Sequence, residues 1–208
     1  MTTVRKEKDD ATCTVEGGIA WLELDLGSVR CREAPALNRK VIRILDEIEF
    51  DRTVGVLVLV VEGCMSPERP NARENPGKNV SSGTDAERRP RREAQSWWNR
   101  LYCLRKPTIA MVTACRVDGA YDPVSACDLA FADIDTQFML DGDNCDAIPG
   151  MDRSPGTTGL LSMRGLMYHA LTGESINGAT AAEWGLVNEA LPADRLRARV
   201  IQVANTLR

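Results

Sequence analysis

Residues able to move protons or to hold negative charge on oxygen concentrate between Lys106 and Gly150. The stretch reads KPTIAMVTACRVDGAYDPVSACDLAFADIDTQFMLDGDNCDAIPG. Asp118-Gly119-Ala120 is expected to open a short apolar helix that ends at Cys127. A backbone that turns on Gly119 into a helix leaves N–H groups unpaired and directed outward. Such groups can stabilise an oxyanion. Asp122 follows Tyr121 in the same segment. Its carboxyl group can serve as general acid or base beside a carbonyl if burial raises its pKa. The competing role is a helix-start carboxylate that satisfies free N–H groups. Asp143 lies in an acidic loop, Asp141 to Asp146, closed by Pro149-Gly150. It is either the partner group in proton transfer or one charge of a solvated loop. The three aspartates there lack the rest of a calcium-loop pattern, so no metal is expected. His169, the single histidine, sits in a helix near Met167 and Leu171 with no acid or nucleophile partner suggested, and reads as structural. Trp97 and Trp98 can line an aromatic pocket or pack in the core. Arg88, Arg89, Arg91 and Arg92 make either a solvated helix start or a phosphate contact.

Elements on both sides must hold these residues in place. Thr12 to Val15, Gly17-Gly18 and Ile19 to Leu24 read as a hairpin. Leu37, Val41, Ile44, Leu45 and Ile48 recur at helical spacing behind Pro35, predicting an amphipathic helix over 35–50. Val54 to Val61 is apolar without alternation, the pattern of a parallel strand buried on both faces. Residues 62–84 hold almost no large apolar side chain and read as loop. A helix over 85–105 follows, then strands at Thr108–Val112 and Asp128–Ala132. Further on, helices are expected over 156–171 and 179–184, a brief strand at Leu186-Val187, and a last helix over 192–208. The apolar face of that last helix, Leu196, Val200, Val203, Ala204 and Leu207, needs a partner and suggests self-association. Strand, helix and strand in this order predict an α/β fold with a parallel sheet and crossover helices.

Composition narrows the function classes. The chain has 208 residues, enough for one domain with a real core. A formal net charge of −4 argues against whole-surface nucleic-acid binding. The seven cysteines show no CxxC spacing, so neither a zinc site nor a redox pair is indicated. Cys13, Cys103, Cys115 and Cys127 sit in apolar runs and read as reduced thiols of a cytoplasmic protein. The N-terminal residues are polar, unlike a signal peptide, and no apolar run approaches the ~20 residues of a membrane span.

The strings KPTIAMV, SACDLAFAD, LTGESINGATAAEWGLVNEALP and VGVLVLVVEG resemble the enoyl-CoA hydratase/isomerase (crotonase) superfamily. Within it, RREAQSWWNRLYCLRKPTIAMV and YDPVSACDLAFAD are most similar to the hydroxycinnamoyl-CoA hydratase-lyases. The resemblance runs from about Thr12 to Arg208. It implies a crotonase-like spiral of β-β-α units over residues 12–208, behind a lead-in at 1–11. It also implies a homo-oligomer, trimer or hexamer, although the family's C-terminal helical trimerisation segment is expected to be absent.

The implied activity is that of a lyase or hydratase on an aryl-propenoyl CoA thioester, with no cofactor beyond the CoA carried by the substrate. Gly119 matches one oxyanion-hole residue of the family. The other falls in Pro67 to Asn71, where Pro70 has no N–H to give. Asp122 matches the glutamate of the hydratases, a position held by serine in the hydratase-lyases. The second glutamate falls on Gly142, beside Asp143. Tyr121, Gly142 and Trp97 are the expected substrate contacts. The family's adenine-contacting Arg-Pro and Asn-Ala pairs are absent from DLGSVRCRE. These departures leave two alternatives: a repurposed crotonase of secondary metabolism (cyclase, isomerase or decarboxylase) whose substrate need not carry CoA, and a non-catalytic binding protein, including RNA binding through Arg88–Arg92.

Overall fold

From Val56 to Val61 every residue is apolar and none is more than 1% exposed. Covering both faces of one strand requires layers above and below it. The computed structural model describes residues 11–25, 35–64, 97–118, 124–139 and 160–208, and shows both layers. Strand β1 (Ala11–Glu16) pairs antiparallel with β2 (Ile19–Asp25) across a Gly17-Gly18 turn. Both glycines take positive φ, 55° and 82°, which a tight hairpin turn demands and side chains resist. Then β2, β3 (Val56–Cys64), β4 (Thr108–Asp118) and β5 (Leu129–Asp133) lie side by side, parallel throughout. The short β8 (Glu189–Leu191) adds parallel to β5. The order is β1-β2-β3-β4-β5-β8. Off this path, β6 (Gln137–Met139) pairs parallel with the far end of β4, and β7 (Ile176–Asn177) pairs antiparallel with β6.

Alternate residues of β3 and β4 serve opposite layers, as the period of two requires. Leu57, Leu59, Val61, Ala110 and Val112 share one apolar cluster with α1 (Pro35–Phe50) and α2 (Trp97–Tyr102). Leu37, Val41, Leu45 and Ile48 of α1, predicted from their spacing, are buried there. Val56, Val58, Val60, Ile109, Met111 and Phe131 form the other cluster with Leu196, Val200 and Ala204 of α5 (Ala193–Leu207). Each of the three α5 residues is 0% exposed. The main apolar row of the last helix is therefore covered by the sheet of its own chain, and is not the free surface that its place at the end of the sequence suggested. Arg197, on the same helix, sets its guanidinium 4.1 Å from the centroid of Trp21, a cation–π contact.

Several boundaries differ from expectation. β1 begins at Ala11, one residue early. The strand predicted over 54–61 occupies 56–64. The helix expected through residue 105 ends at Tyr102, because Lys106 turns away to donate to the carbonyls of Asp51 and Val54. β4 continues to Asp118, so Asp118 closes a strand instead of opening a helix. β5 spans 129–133, since Asp128 is engaged in side-chain bonds that precede it. Of the helix predicted over 156–171, residues 156–159 lie outside the described residues, and 163–171 fall in α3 (Met163–Thr172). Leu186-Val187 is a buried turn whose N–H groups donate to Ala181 O, and the strand starts two residues later. The helix over 179–184 is present as α4 (Gly178–Trp184), capped by Asn177 Oδ1 and stopped by Gly185 at φ 89°.

Candidate active site

Parallel strands place all their carboxyl ends on one edge, and ligands of α/β sheets bind beyond that edge. Here β2, β3, β4 and β6 run parallel and adjacent, ending at Asp25, Cys64, Asp118 and Met139. Gly119, Tyr121 and Asp122 lie on the chain that leaves β4. Gly142 and Asp143 lie on the chain that leaves β6. The β4–β6 register sets Asp118 opposite Met139. Adjacent strands are about 4.8 Å apart, and four residues of chain reach about 14 Å at most. Topology therefore starts the two segments that carry the acid/base candidates from neighbouring points. This juxtaposition depends on β6, a three-residue strand that periodicity did not reveal.

Gly119, Tyr121, Asp122, Gly142 and Asp143 themselves lie outside the described residues, as do Pro67–Asn71, Arg88–Arg92, Asp141 and Asp146. Trp97 is the one expected substrate contact within them. It starts α2, with its backbone N–H donating to Asn38 Oδ1 of α1 at 2.8 Å. Its ring is 0% exposed, packed in the α1–α2 cluster and edge-on to Trp98 at 5.8 Å between centroids. The indole Nε1 is buried and has no hydrogen-bond partner among the described residues. Two hydroxyls share that condition: Ser125 Oγ, three residues beyond Asp122, and Thr136 Oγ1, just before β6. Trp97 stands out in the sequence as an aromatic, but Ser125 and Thr136 do not, because an unsatisfied buried hydroxyl is a property of packing. His169 falls on α3, remote in sequence from both segments.

The return from β4 to β5 is held by side chains. Residues 124–127 make one turn, with Cys127 N–H donating to Val124 O at 3.2 Å. Asp128 follows, and its Oδ2 accepts from both Thr108 N–H and Thr108 Oγ1–H, each at 2.8 Å. Asp128 N–H donates back to Thr108 Oγ1, also at 2.8 Å. Asn188 makes a second reciprocal pair with Ala130: its N–H donates to Ala130 O at 2.7 Å and its Oδ1 accepts Ala130 N–H at 2.8 Å. Cys127 is buried between these ties. Burial pushes its thiol pKa well up and the Asp128 charge adds to this, while a Thr108 hydrogen bond opposes it in part. A thiol so held stays protonated and is no nucleophile at neutral pH. Among the described residues no group of three His, Cys, Asp or Glu side chains could hold a metal ion.

Residues 34–208 match the family model described as enoyl-CoA hydratase/isomerase. The chain belongs to the enoyl-CoA hydratase/isomerase family. It is 35% identical over 209 residues to a hydroxycinnamoyl-CoA hydratase-lyase of Pseudomonas fluorescens, covering all of this chain and 75% of that protein. It is 30% identical over 110 residues to a probable enoyl-CoA hydratase of Mycobacterium tuberculosis, covering 53% of this chain and 43% of the other. Among solved structures, a probable enoyl-CoA hydratase from Mycobacterium thermoresistibile superposes with a TM-score of 0.72 at 24% identity, covering 95% of this chain and 80% of that one. An enoyl-CoA hydratase/carnithine racemase from Magnetospirillum magneticum gives 0.70 at 16% identity over 97% and 75%. At these identities the likeness establishes the crotonase-like α/β fold. No helix among the described residues is long and apolar enough to cross a membrane.

Proposed function

We propose that this crotonase-type enzyme is a hydratase or lyase acting on an aryl-propenoyl CoA thioester. One observation supports the reading: the β4–β6 pairing sets Asp118 opposite Met139, so the chain segments that carry Gly119–Asp122 and Gly142–Asp143 set out from neighbouring strand ends. The full-length likeness to a hydroxycinnamoyl-CoA hydratase-lyase supports the aryl substrate.

In this reading Gly119 N–H receives the thioester oxygen. Water attacks the β-carbon as one carboxylate, Asp122 or Asp143, takes its proton. The Cα=Cβ electrons move onto the thioester oxygen, where the amide holds the enolate. The other carboxyl group, protonated, gives its proton to the α-carbon. The lyase step follows when the β-hydroxyl loses its proton to the carboxylate. The Cα–Cβ bond then breaks, an aryl aldehyde leaves, and the enolate of the acetyl thioester is reprotonated at carbon. Tyr121, Gly142 and Trp97 line the acyl pocket. The buried indole N–H of Trp97, which has no partner among the described residues, supports such a role, since a ligand oxygen would satisfy it. CoA enters only as part of the substrate, and the working form is a soluble cytoplasmic trimer or hexamer.

The test is aldehyde release from feruloyl-CoA by the parent chain and by Asp122→Asn. Turnover that Asp122→Asn abolishes is the expected result. Turnover unaffected by the substitution would remove Asp122 from the chemistry. A second reading is favoured by Pro70, which falls near the position of the family's other amide donor: a repurposed crotonase, cyclase, isomerase or decarboxylase, whose substrate need not carry CoA. Its signature would be neither turnover nor binding of feruloyl-CoA.

A further inference from the structure

We infer that α5 is a strap clasped at its far end: Arg208, seated against Gly17, Gly18 and Gly55, sets how often the last turns of the helix lift from the sheet. The clasp stands apart from the proposed chemistry. Gly17-Gly18 precede β2 and Gly55 precedes β3, at the amino ends of the strands. Among the described residues α5 is the only helix over the cluster that holds Val56, Val58, Val60, Ile109 and Phe131. Lifting it uncovers that face. Its near end is held in several ways. Pro192 alone separates it from β8, Arg199 Nε donates to Glu189 Oε2 of that strand at 2.9 Å, and Arg197 covers Trp21. Beyond Ala204 the row of buried residues stops. Asn205, Thr206 and Leu207 are exposed, and Thr206 Oγ1 donates back to Val203 O within the helix at 2.7 Å. Arg208 ties this end down.

The seat is built of backbone. Arg208 closes the helix, and its guanidinium Nη1 donates to Gly17 O. A Cβ on Gly17 would stand 3.3 Å from that Nη1, and one on Gly18 would stand 3.8 Å from Arg208 Cδ. At Gly55 the fit is tighter: a Cβ would stand 2.8 Å from Arg208 Cβ and 3.0 Å from its Cα. The glycines form one unit, because Gly55 N–H donates to Gly18 O at 2.8 Å. Gly17 and Gly18 have positive φ as a reason of their own to be glycine. Gly55 does not take positive φ, and the three atoms nearest to a side chain there all belong to Arg208. Alanine at such a backbone position ordinarily stabilises a protein, since it narrows the unfolded ensemble. Here it has to displace Arg208.

The experiment follows amide hydrogen exchange by mass spectrometry in the full chain. It compares the parent with Arg208→Gly, Gly55→Ala, the double variant, and Arg43→Ala, a control that breaks an exposed ion pair on α1. Glycine ends a helix readily, so Arg208→Gly removes the clasp without penalising the helix. It should speed exchange in peptides spanning 200–207 by roughly three- to tenfold, the scale of one lost hydrogen bond. Peptides spanning 56–61 should keep the parent rate, because lifting the strap leaves the β3 ladder paired. Gly55→Ala should speed exchange in 200–207 as well, against its ordinary stabilising sign. Once residue 208 is glycine it should add less than about twofold, since both changes then remove the same contact. Arg43→Ala should leave both sets of peptides unchanged. Exchange in 200–207 at the parent rate in either single variant, a rise shared equally by 56–61 or reproduced by Arg43→Ala, or full additivity in the double variant overturns the inference.

Discussion

Replacing Gly178 by alanine sets helix propensity against packing, and the structure says packing wins. Gly178 opens α4 directly under the turn between β5 and β6. A Cβ placed there would lie 2.2 Å from Asp133 O, 3.0 Å from Asp133 C and 3.1 Å from Ile134 Cα. All three are backbone atoms, and that backbone has little freedom to withdraw. Ile134 N–H donates to Leu191 O at 3.0 Å, Thr136 N–H donates to Asp133 O at 3.0 Å, and Gly178 N–H itself donates to Ile134 O at 3.1 Å. Alanine gains at most about 1 kcal/mol from helix propensity. Overpacking costs about 1–3 kcal/mol, and loss of the Gly178–Ile134 bond adds about 1 kcal/mol. The net expectation is about 1–3 kcal/mol of destabilisation, or roughly 2–12 °C in Tm for a chain of this size. Urea unfolding followed by tryptophan fluorescence measures it, as a lower midpoint at unchanged slope. Because the same turn leads into β6, activity should fall with stability. A Gly178→Ala protein as stable as the parent, or more so, would refute the packing argument and show that propensity dominates.

Other consequences are as direct. In the native protein Cys103 is exposed and Cys127 buried with its thiol pKa raised, so alkylation at neutral pH should modify the Cys103 peptide long before the Cys127 peptide. Equal rates under native conditions would contradict the burial. Hydrogen bonding from Arg199 holds the Glu189 carboxyl below its ordinary 4.5. A depressed carboxylate contributes stability above its unfolded-state pKa and loses it as pH falls through the folded value. The stability difference between the parent and Arg199→Ala should therefore be present at neutral pH and shrink below pH 4.5. A difference constant with pH would place the effect in packing. Arg100 bridges Asp46 and Glu49 of α1 from α2, so Arg100→Met should loosen α2 against α1. Faster amide exchange in residues 97–104 would report it, and unchanged exchange would show the bridge to be dispensable.

What the sequence made legible follows the strength of each local signal. Leu37, Val41, Ile44, Leu45 and Ile48 repeat over about three turns, and α1 spans residues 35–50 as that repeat predicts. The apolar run at Val54–Val61 likewise points to a strand covered on both faces, and Val56–Val61 is such a strand. β6 and β7 have three and two residues, too few for any period to register. Yet β6 is what sets Met139, three residues before Gly142, opposite Asp118 at the end of β4. β4 runs past its expected end at Val112 because ACRVD carries no strand pattern, and only its pairing with β3 and β6 makes it one. The last helix illustrates a different limit. Its apolar row was visible, but whether the row meets the sheet or another molecule is decided by chain topology. Asp128 read as the start of a strand, whereas its side chain reaches twenty residues back to Thr108. Long-range ties of this kind leave no periodic trace.

The proposal that this chain hydrates and cleaves an aryl-propenoyl thioester is tested most directly by mass spectrometry of feruloyl-CoA incubated with the parent protein. The account predicts a hydrated thioester, then acetyl-CoA and the aryl aldehyde in equal amounts, with one solvent deuterium on the acetyl group for each α-protonation when the reaction runs in heavy water. Unchanged feruloyl-CoA at protein concentrations in excess of substrate, with no binding of the thioester, would contradict it.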